Sequence, residues 1–544
     1  MENLRDMLKK AILELYGIDF EPEIVAAPEN IEADYASNVP LKLAKEFHDN
    51  PFSMAEKIAE RIDNAFASKP GFINFKLSDA YLEEKVVGLS EKFEISSDKF
   101  AGKTVVCEFS DPNPFKVLHV GHLYTSIVGD AISKLFEYAG ARVVRANFGG
   151  DVGLHVAKTM YILRQQNLQD LTIEDIARCY VEGTAAYADD EVARAEITAL
   201  NKEIYKINAE DIHEGEIAEL YWRGRELSYK YFEDFYAKIG VKFDKYYPES
   251  AVAHLGLETV LRELEKGVYQ KSNGAVVFDG EKYGLHTRVF VNSEGVPTYE
   301  AKDVGLIFQK NEDWHFDKSV VITGSEQLEY MKVVLKSVEQ YAPELVEKTS
   351  HLTHGLVKLP GNVKMSSRKG NFLKAVDVLG MVANELKTEY DSMDMAVVIA
   401  AIKYAFIKYK MGGDIIFDPK ESVKMTGNSG PYLLYSTVRA KKILSAATTA
   451  KENFEEISLV KTERNLIKKL LEYKGVLDEA VFEMAPHKVA NYLYEVAQEF
   501  SRFYENCPVI GAKEEAKRIE IVKAYDNVME HGLNILGIKI PEEM

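Results

Sequence analysis

Apolar residues recur at helical spacing from Leu4 to Tyr16 and again through Leu41 to Asp63, and the chain then alternates as a strand over Gly71-Phe-Ile-Asn-Phe-Lys-Leu77. These segments predict a small α+β domain over residues 1–102. At Lys103 the pattern changes to Thr104-Val-Val-Cys-Glu-Phe109, a short buried-strand run followed by a loop rich in Asp, Pro and Asn. A helix is predicted from His122 to Tyr138, where Leu123, Ile127, Ala131, Leu135 and Tyr138 share a face and Gly140 ends it. Arg142 to Asn147 reads as a second strand. Strand, helix and strand in about 45 residues form the βαβ unit of a parallel sheet.

The stretch from Leu168 to Lys238 is charged and helical in pattern, an insertion or flanking layer, and sheet-like runs return at Gly274–Phe278, Thr287–Val291 and Ser319–Thr323. After Asp418 strand signals fade. Gly430-Pro431 opens a long helical pattern that includes Tyr432–Leu444 and Val489–Tyr504. The fold class expected is therefore a multidomain α/β protein: an α+β domain over 1–102, a parallel-sheet domain with a helical insertion over 103–418, and an all-α bundle over 419–544. No internal repeat or low-complexity tract is visible.

Composition narrows the function. The 544 residues suffice for roughly three to four domains. Lys and Arg number 67 against 86 Asp and Glu, a net charge of −19, so nucleic acid held by bulk charge is excluded and any contact must use local basic patches. Cys107, Cys179 and Cys507 are far apart with no CxxC pair, so neither a zinc ribbon nor a disulfide framework is encoded, and no structural zinc is expected. The N-terminal residues lack a signal-peptide layout and the longest apolar run, Met395 to Ile402, is too short to cross a bilayer. A cytoplasmic protein without a membrane span is expected.

Two motifs carry chemistry. His119-Val-Gly-His122 sits where the first strand has ended and its crossover helix begins. Helix N-termini hold anions through free backbone N–H groups, two imidazoles there can reach phosphate oxygens, and Gly121 leaves room for a flat base. The alternative is two helix-capping histidines and a turn glycine. Far downstream, Lys364-Met-Ser-Ser-Arg-Lys-Gly-Asn371 is a basic loop whose cations and hydroxyls suit a departing pyrophosphate, although such a loop is by itself most often a solvated turn.

The two motifs in this order resemble the signatures of class I aminoacyl-tRNA synthetases, whose catalytic domain is Rossmann-like. Within that class the chain resembles the arginyl-tRNA synthetase family. The resemblance rests on Glu108-Phe-Ser-Asp-Pro-Asn-Pro-Phe-Lys116 running into His119 and His122, on Gly150-Asp-Val-Gly153, Phe243-Asp244 and Glu249-Ser250, on Tyr299 with Asp303, and on Gln327. In the C-terminal region it rests on Tyr432-Leu-Leu-Tyr435 with Arg439, Tyr492 to Cys507, and Leu533-Asn-Ile-Leu-Gly537. Residues 1–102 occupy the place of the family's tRNA-elbow domain.

The resemblance implies an arginine–tRNA ligase that uses ATP with Mg2+, acts on L-arginine and tRNA(Arg), works as a monomer, and needs bound tRNA to form its adenylate. It implies that His119 and His122 hold ATP phosphates, that Gly121 lies under adenine, and that Lys364, with Met365 and Ser366, binds ATP and the leaving pyrophosphate. It places Glu108, Asn113, Tyr299, Asp303 and Gln327 in the amino-acid pocket. The chemistry agrees: a planar guanidinium is met by a carboxylate such as Asp303, an α-ammonium by Asn113, and Tyr299 offers an aromatic face. Tyr435 and Arg439, on one helix face with Tyr432, are the residues expected to meet anticodon bases, whereas Tyr492, Tyr494, Phe500 and Phe503 are expected mostly in the core.

Some positions depart from the family pattern. Asp111 replaces a residue often Ser or Ala and could pair with the α-ammonium; Tyr124 replaces a frequent Arg; Val152, Leu154 and His155 replace Trp, Thr and Gln; Tyr330 stands where His is frequent. Ser367 replaces the second signature lysine, and the resemblance implies that Lys116, three residues before His119, compensates. Two rivals remain: a class I synthetase for another amino acid such as lysine, and a non-catalytic tRNA-binding paralogue.

Overall fold

In the computed structural model, residues 2–28, 30–166, 170–361, 373–391, 394–447 and 458–544 are described. Contacts divide the chain into two units, one of residues 1–94, 440–474 and 496–528, the other of residues 95–439, 475–495 and 529–544.

The second unit is built on a five-stranded parallel sheet. Its strands are β1 (Thr104–Glu108), β2 (Arg142–Gly149), β3 (Lys245–Pro248), β4 (Lys318–Gly324) and β5 (Thr349–His354), in the spatial order β5-β4-β1-β2-β3. Helix α1 (Val120–Tyr138) crosses from β1 to β2. Two further helices, α2 (Glu249–Glu265) and α3 (Tyr299–Trp314), lie between β3 and β4 in sequence. One crossover runs from β1 toward β2 and the other returns past β1 to β4, so with right-handed connections the strand order reverses between β1 and β4. Ligands of such sheets bind beyond the carboxyl ends of the strands at that reversal, which here means beyond Glu108 and Gly324.

Val106, Val144, Val304, Val321 and Phe290 share one buried core under this end of the sheet. Within it, α2 and α3 pack through paired glycines. A Cβ on Gly256 would lie 1.9 Å from the Ala301 carbonyl oxygen, and one on Gly305 would lie 2.2 Å from that of Val252. Any larger residue would drive the helices apart and carry Tyr299 and Asp303 away from Glu249. A three-stranded antiparallel sheet of Gln270–Ser272, Ala275–Phe278 and Arg288–Val291 joins the two helices. The charged region after β2 forms helices Leu154–Gln166, Ile173–Asp189, Glu191–Ala209 and Glu216–Ile239, whose core closes on Phe115. Helix Gly430–Ala446 follows as foreseen.

In the first unit, a four-stranded antiparallel sheet covers a core of Leu8, Ile12, Met54, Ile58 and Phe75. The helix expected over Leu41–Asp63 is two helices, Val39–Leu43 and Pro51–Ala59. Pro51 has no amide to continue a preceding helix, and the Asn50 side chain accepts from the Phe52 and Ser53 amides, starting a new one. From the C-terminal region, Arg464 bonds Asp34 at 2.6 Å and also Asp79, while fully buried Glu463 accepts from Lys517 and Arg518. Phe500 stacks on Tyr525 at 3.8 Å and Phe503 is buried, as is Tyr492 in the second unit, in keeping with core roles. No described helix is long and apolar enough to cross a membrane.

Candidate active site

A cleft of about 730 Å3 opens at the β1–β4 reversal, with the start of α1 at one end and α3 at the other. His119 is the extended residue that caps α1. Its Nδ1 accepts from the Gly121 and His122 amides at 3.1 and 3.3 Å, and His122 Nδ1 accepts from the His119 amide at 3.2 Å. The rings stack at 3.7 Å. The expectation of open helix amides for an anion is thus corrected for two of them, because His119 already occupies the Gly121 and His122 N–H groups. A Cβ on Gly121 would sit 2.9 Å from the His119 ring, so glycine is what lets the cap close.

Capping does not remove the imidazoles from anion binding. With each Nδ1 accepting, the neutral ring carries its proton on Nε2 and can donate from there. Burial pushes His119 down to about 4 and His122 well below its ordinary value, so both are neutral donors at physiological pH. Both rings line the cleft. Tyr124, one turn on, is buried against His354 and Phe406.

The opposite end is acidic. Glu108, at the end of β1, is paired with buried Lys310, which also reaches Ser319 Oγ at 3.3 Å. Glu249, at the start of α2, is paired with Lys302 at 2.7 Å; the Lys302 ammonium reaches the Tyr205 hydroxyl at 3.3 Å and lies 5.1 Å from the Tyr299 ring centre. Glu300 is paired with Arg288 at 3.2 Å. Asp303 is different. Only 8% exposed, it accepts from the Tyr330 hydroxyl, and burial, with the Glu108 and Glu249 charges, pushes it up to about 8.

The structure brings Glu108, Asp111, Asn113, His119, Gly121, His122, Tyr299, Asp303 and Gln327 around this one cleft. Their local duties differ. Asn113 Oδ1 accepts from the Gly150 amide at 2.7 Å, so its oxygen is engaged in holding the end of β2. Asp111 Oδ1 accepts from the Phe148 amide at 2.8 Å. Tyr299 is 58% exposed with its ring beside Lys302. Asp151 is fully buried, accepting from the Ser250 amide and hydroxyl and from Arg225, and His155 Nε2 meets the Gly150 carbonyl at 2.7 Å, so both brace the loop. Lys116 does not line the cleft. Its ammonium lies 5.0 Å from the Tyr180 ring centre, and burial, with the Lys158 charge, brings it down to about 8.

Lys364, Met365, Ser366 and Ser367 fall outside the described residues. In the C-terminal region Arg439 lies over the Tyr435 ring at 4.6 Å and donates to its hydroxyl, while Tyr432 turns edge-on to Tyr494. Sequence reasoning missed Arg288, Lys302, Lys310 and His354. Nothing local marks them, since each meets its partner only through the fold.

Comparison with known proteins follows the same lines. Residues 87–418 match the catalytic domain of class I (R) tRNA synthetases, residues 433–544 the DALR anticodon binding domain, and residues 2–77 the arginyl tRNA synthetase N-terminal domain. The arginine–tRNA ligase of Treponema denticola is 29% identical over the full length of both chains. That of Clostridium botulinum strain Langeland is 30% identical over 97% of each. Arginyl-tRNA synthetase structures from Thermus thermophilus (TM-score 0.81, 24% identity, all of both chains) and Plasmodium falciparum (TM-score 0.77, 21% identity, 100% and 99%) share the fold.

Proposed function

The chain belongs to the arginyl-tRNA synthetases, and we propose that its cleft takes arginine at the Asp303 end and ATP at the histidine end. The protein is an arginine–tRNA ligase: it activates L-arginine with ATP and transfers the arginyl group to tRNA. The arginine carboxylate attacks the α-phosphorus of ATP, forming the mixed anhydride as the bond to pyrophosphate breaks. A ribose hydroxyl of the tRNA's terminal adenosine then attacks the activated carbonyl and AMP leaves. Magnesium enters with the nucleotide as part of that substrate.

The residues act through alignment and charge. His119 and His122, as neutral Nε2–H donors, hold phosphate oxygens without adding net charge, and Gly121 gives the adenine a flat floor. Lys364, Met365 and Ser366 bind ATP, and Lys116, which in the ligand-free protein lies beside the Tyr180 ring and off the cleft, turns toward the phosphates as the second cation. Asp303 pairs with the guanidinium, with Glu108 and Gln327 completing the pocket and Tyr299 closing it. Tyr435 and Arg439 meet the anticodon of tRNA(Arg), and the protein works as a cytoplasmic monomer.

The observation that supports this most directly is one cleft joining Asp303, a buried carboxylate with no cation partner among the described residues, to two neutral donors at a helix start. Pyrophosphate exchange and tRNA charging over the twenty amino acids, with and without tRNA, test it. Arginine alone is expected to be activated, and equal specificity constants for lysine and arginine refute the assignment of Asp303. A lysine ammonium cannot make the two parallel bonds of a guanidinium.

A further inference from the structure

The first unit holds a cavity of its own, of about 360 Å3, where the end of its antiparallel sheet meets the end of helix Lys461–Leu471. Tyr35, opposite Phe75 in the strand register, makes one wall, and Asp63 lies just before strand Ala65–Ser68. Tyr81 and Lys85 come from the first two turns of helix Asp79–Glu91, and Glu472 closes the cavity from the C-terminal region.

Tyr35 is only 5% exposed and lines this cavity, yet its hydroxyl makes no hydrogen bond among the described residues. A buried phenol ordinarily finds a partner, and here the unused donor and acceptor face the cavity. The charge around it is negative. Burial, then the Glu472 and Asp34 charges, push the phenol above its ordinary value and keep it a neutral hydroxyl. Asp34 is engaged by Arg464 and Lys468, which leaves Glu472 and Asp63 to face a ligand. Asp63 is exposed and makes no ion pair among the described residues. Glu472, paired with Lys469 at 2.9 Å, stands one residue past its helix, and the carbonyl end of a helix favours a cation. The two lysines of the lining are drawn to carboxylates outside it, Lys76 to Glu32 at 2.6 Å and Lys85 to Glu84 at 3.1 Å. The Lys85 ammonium also lies 5.3 Å from the Tyr81 ring centre, so an aromatic face of this cavity already takes a cation.

We propose that this cavity binds a small organic cation, a guanidinium or alkylammonium compound of about a dozen non-hydrogen atoms, which pairs with Glu472 and Asp63, donates to the Tyr35 hydroxyl and displaces Lys85 from the Tyr81 ring. The site is separate from the cleft and does not rest on the reading of the cleft. Calorimetric titration of the full-length Asp303→Asn protein, whose cleft lacks the carboxylate assigned to the guanidinium, tests it with agmatine, putrescine and L-arginine. At least one is expected to bind with a Kd below about 1 mM. Agmatine tighter than putrescine identifies a guanidino compound and the reverse a polyamine, and L-arginine tightest identifies the amino acid.

On that background Glu472→Gln is expected to weaken binding at least tenfold and Tyr35→Phe about three- to tenfold. Lys85→Met is expected to tighten agmatine at least threefold, because it removes the internal ammonium that competes for Tyr81; a merely structural role predicts no gain. With Asp303 present, Y35F and E472Q are expected to leave the arginine KM in tRNA charging unchanged within twofold. Failure of all three probes to bind overturns the proposal, as does binding indifferent to both Y35F and E472Q, or weaker agmatine binding in K85M. Adenosine or uridine bound there with the cations excluded overturns it in favour of an RNA base. If Y35F does not fold, judged by its melting curve, E472Q and K85M decide. Unmodified protein that charges no arginine overturns the functional reading alone and leaves the titrations of this cavity to stand.

Discussion

Asp303 holds a proton in the empty cleft, and arginine has to displace it. Burial raises this carboxyl to about 8, so at pH 7 it is about nine-tenths protonated and at pH 8 about half. The guanidinium pairs only with the ionised form. Arginine binding should therefore release about 0.9 proton from Asp303 at pH 7 and about 0.5 at pH 8, and the affinity should tighten about ninefold from pH 6 to 7 and about fivefold from pH 7 to 8. Calorimetric titration in buffers of different ionisation enthalpy counts the protons. His119 is at about 4, and burial holds His122 and His155 well below the ordinary imidazole value. Lys116, at about 8, titrates too, but it survives in Asp303→Asn, so it cancels in the difference between the two proteins. The sign for stability follows from the same shift. The native state keeps a proton that the unfolded chain has lost, so the ligand-free protein should lose stability as pH rises from about 4 to about 8, by at most about 6 kcal/mol, and D303N should flatten that slope. Proton release at pH 7 that is the same in D303N as in the unmodified protein would refute the reasoning.

Three other outcomes are expected. Lys116→Ala should slow adenylate formation in rapid-quench experiments with little change in arginine affinity, and adding Ser367→Lys should restore a substantial part; near-normal activation by the single variant would remove Lys116 from the phosphate site. Gly305→Ala should cost about 2–3 kcal/mol in denaturant unfolding, because its Cβ falls 2.2 Å from the Val252 carbonyl, and should raise the arginine KM more than the ATP KM by shifting α3. Arg464→Ala leaves buried Asp34 with Lys468, at 3.0 Å, and the Leu77 amide, and should destabilise by about 3 kcal/mol, read from the melting of the full-length protein at fixed ionic strength.

What the sequence determined by itself is what short-range forces decide. The turn at His119–His122 was legible because its cap bonds span three residues, and β1, α1 and β2 were legible because periodicity reports which faces an element buries. The five residues that the family resemblance groups in one pocket, Glu108, Asn113, Tyr299, Asp303 and Gln327, all line the cleft. Where local signals competed, the reading failed: Asn50-Pro51 split one apolar helical pattern into two helices. Edge strands β3 and β5, Lys245–Pro248 and Thr349–His354, carried too little apolar pattern to be seen.

Only the tertiary structure decided the charge state of the site. Glu108 and Asp303 look alike as letters, yet Glu108 is neutralised by Lys310, 202 residues away, and Glu249 by Lys302, 53 residues away, while Asp303 is left with a phenol. Likewise Arg464 finds Asp34 across 430 residues. Ion pairing and burial depend on distance in space, and a pattern along the chain carries that distance only within a few residues. Which carboxylates are left for a substrate is therefore fixed when the glycine-paired helices α2 and α3 close against each other and against the sheet.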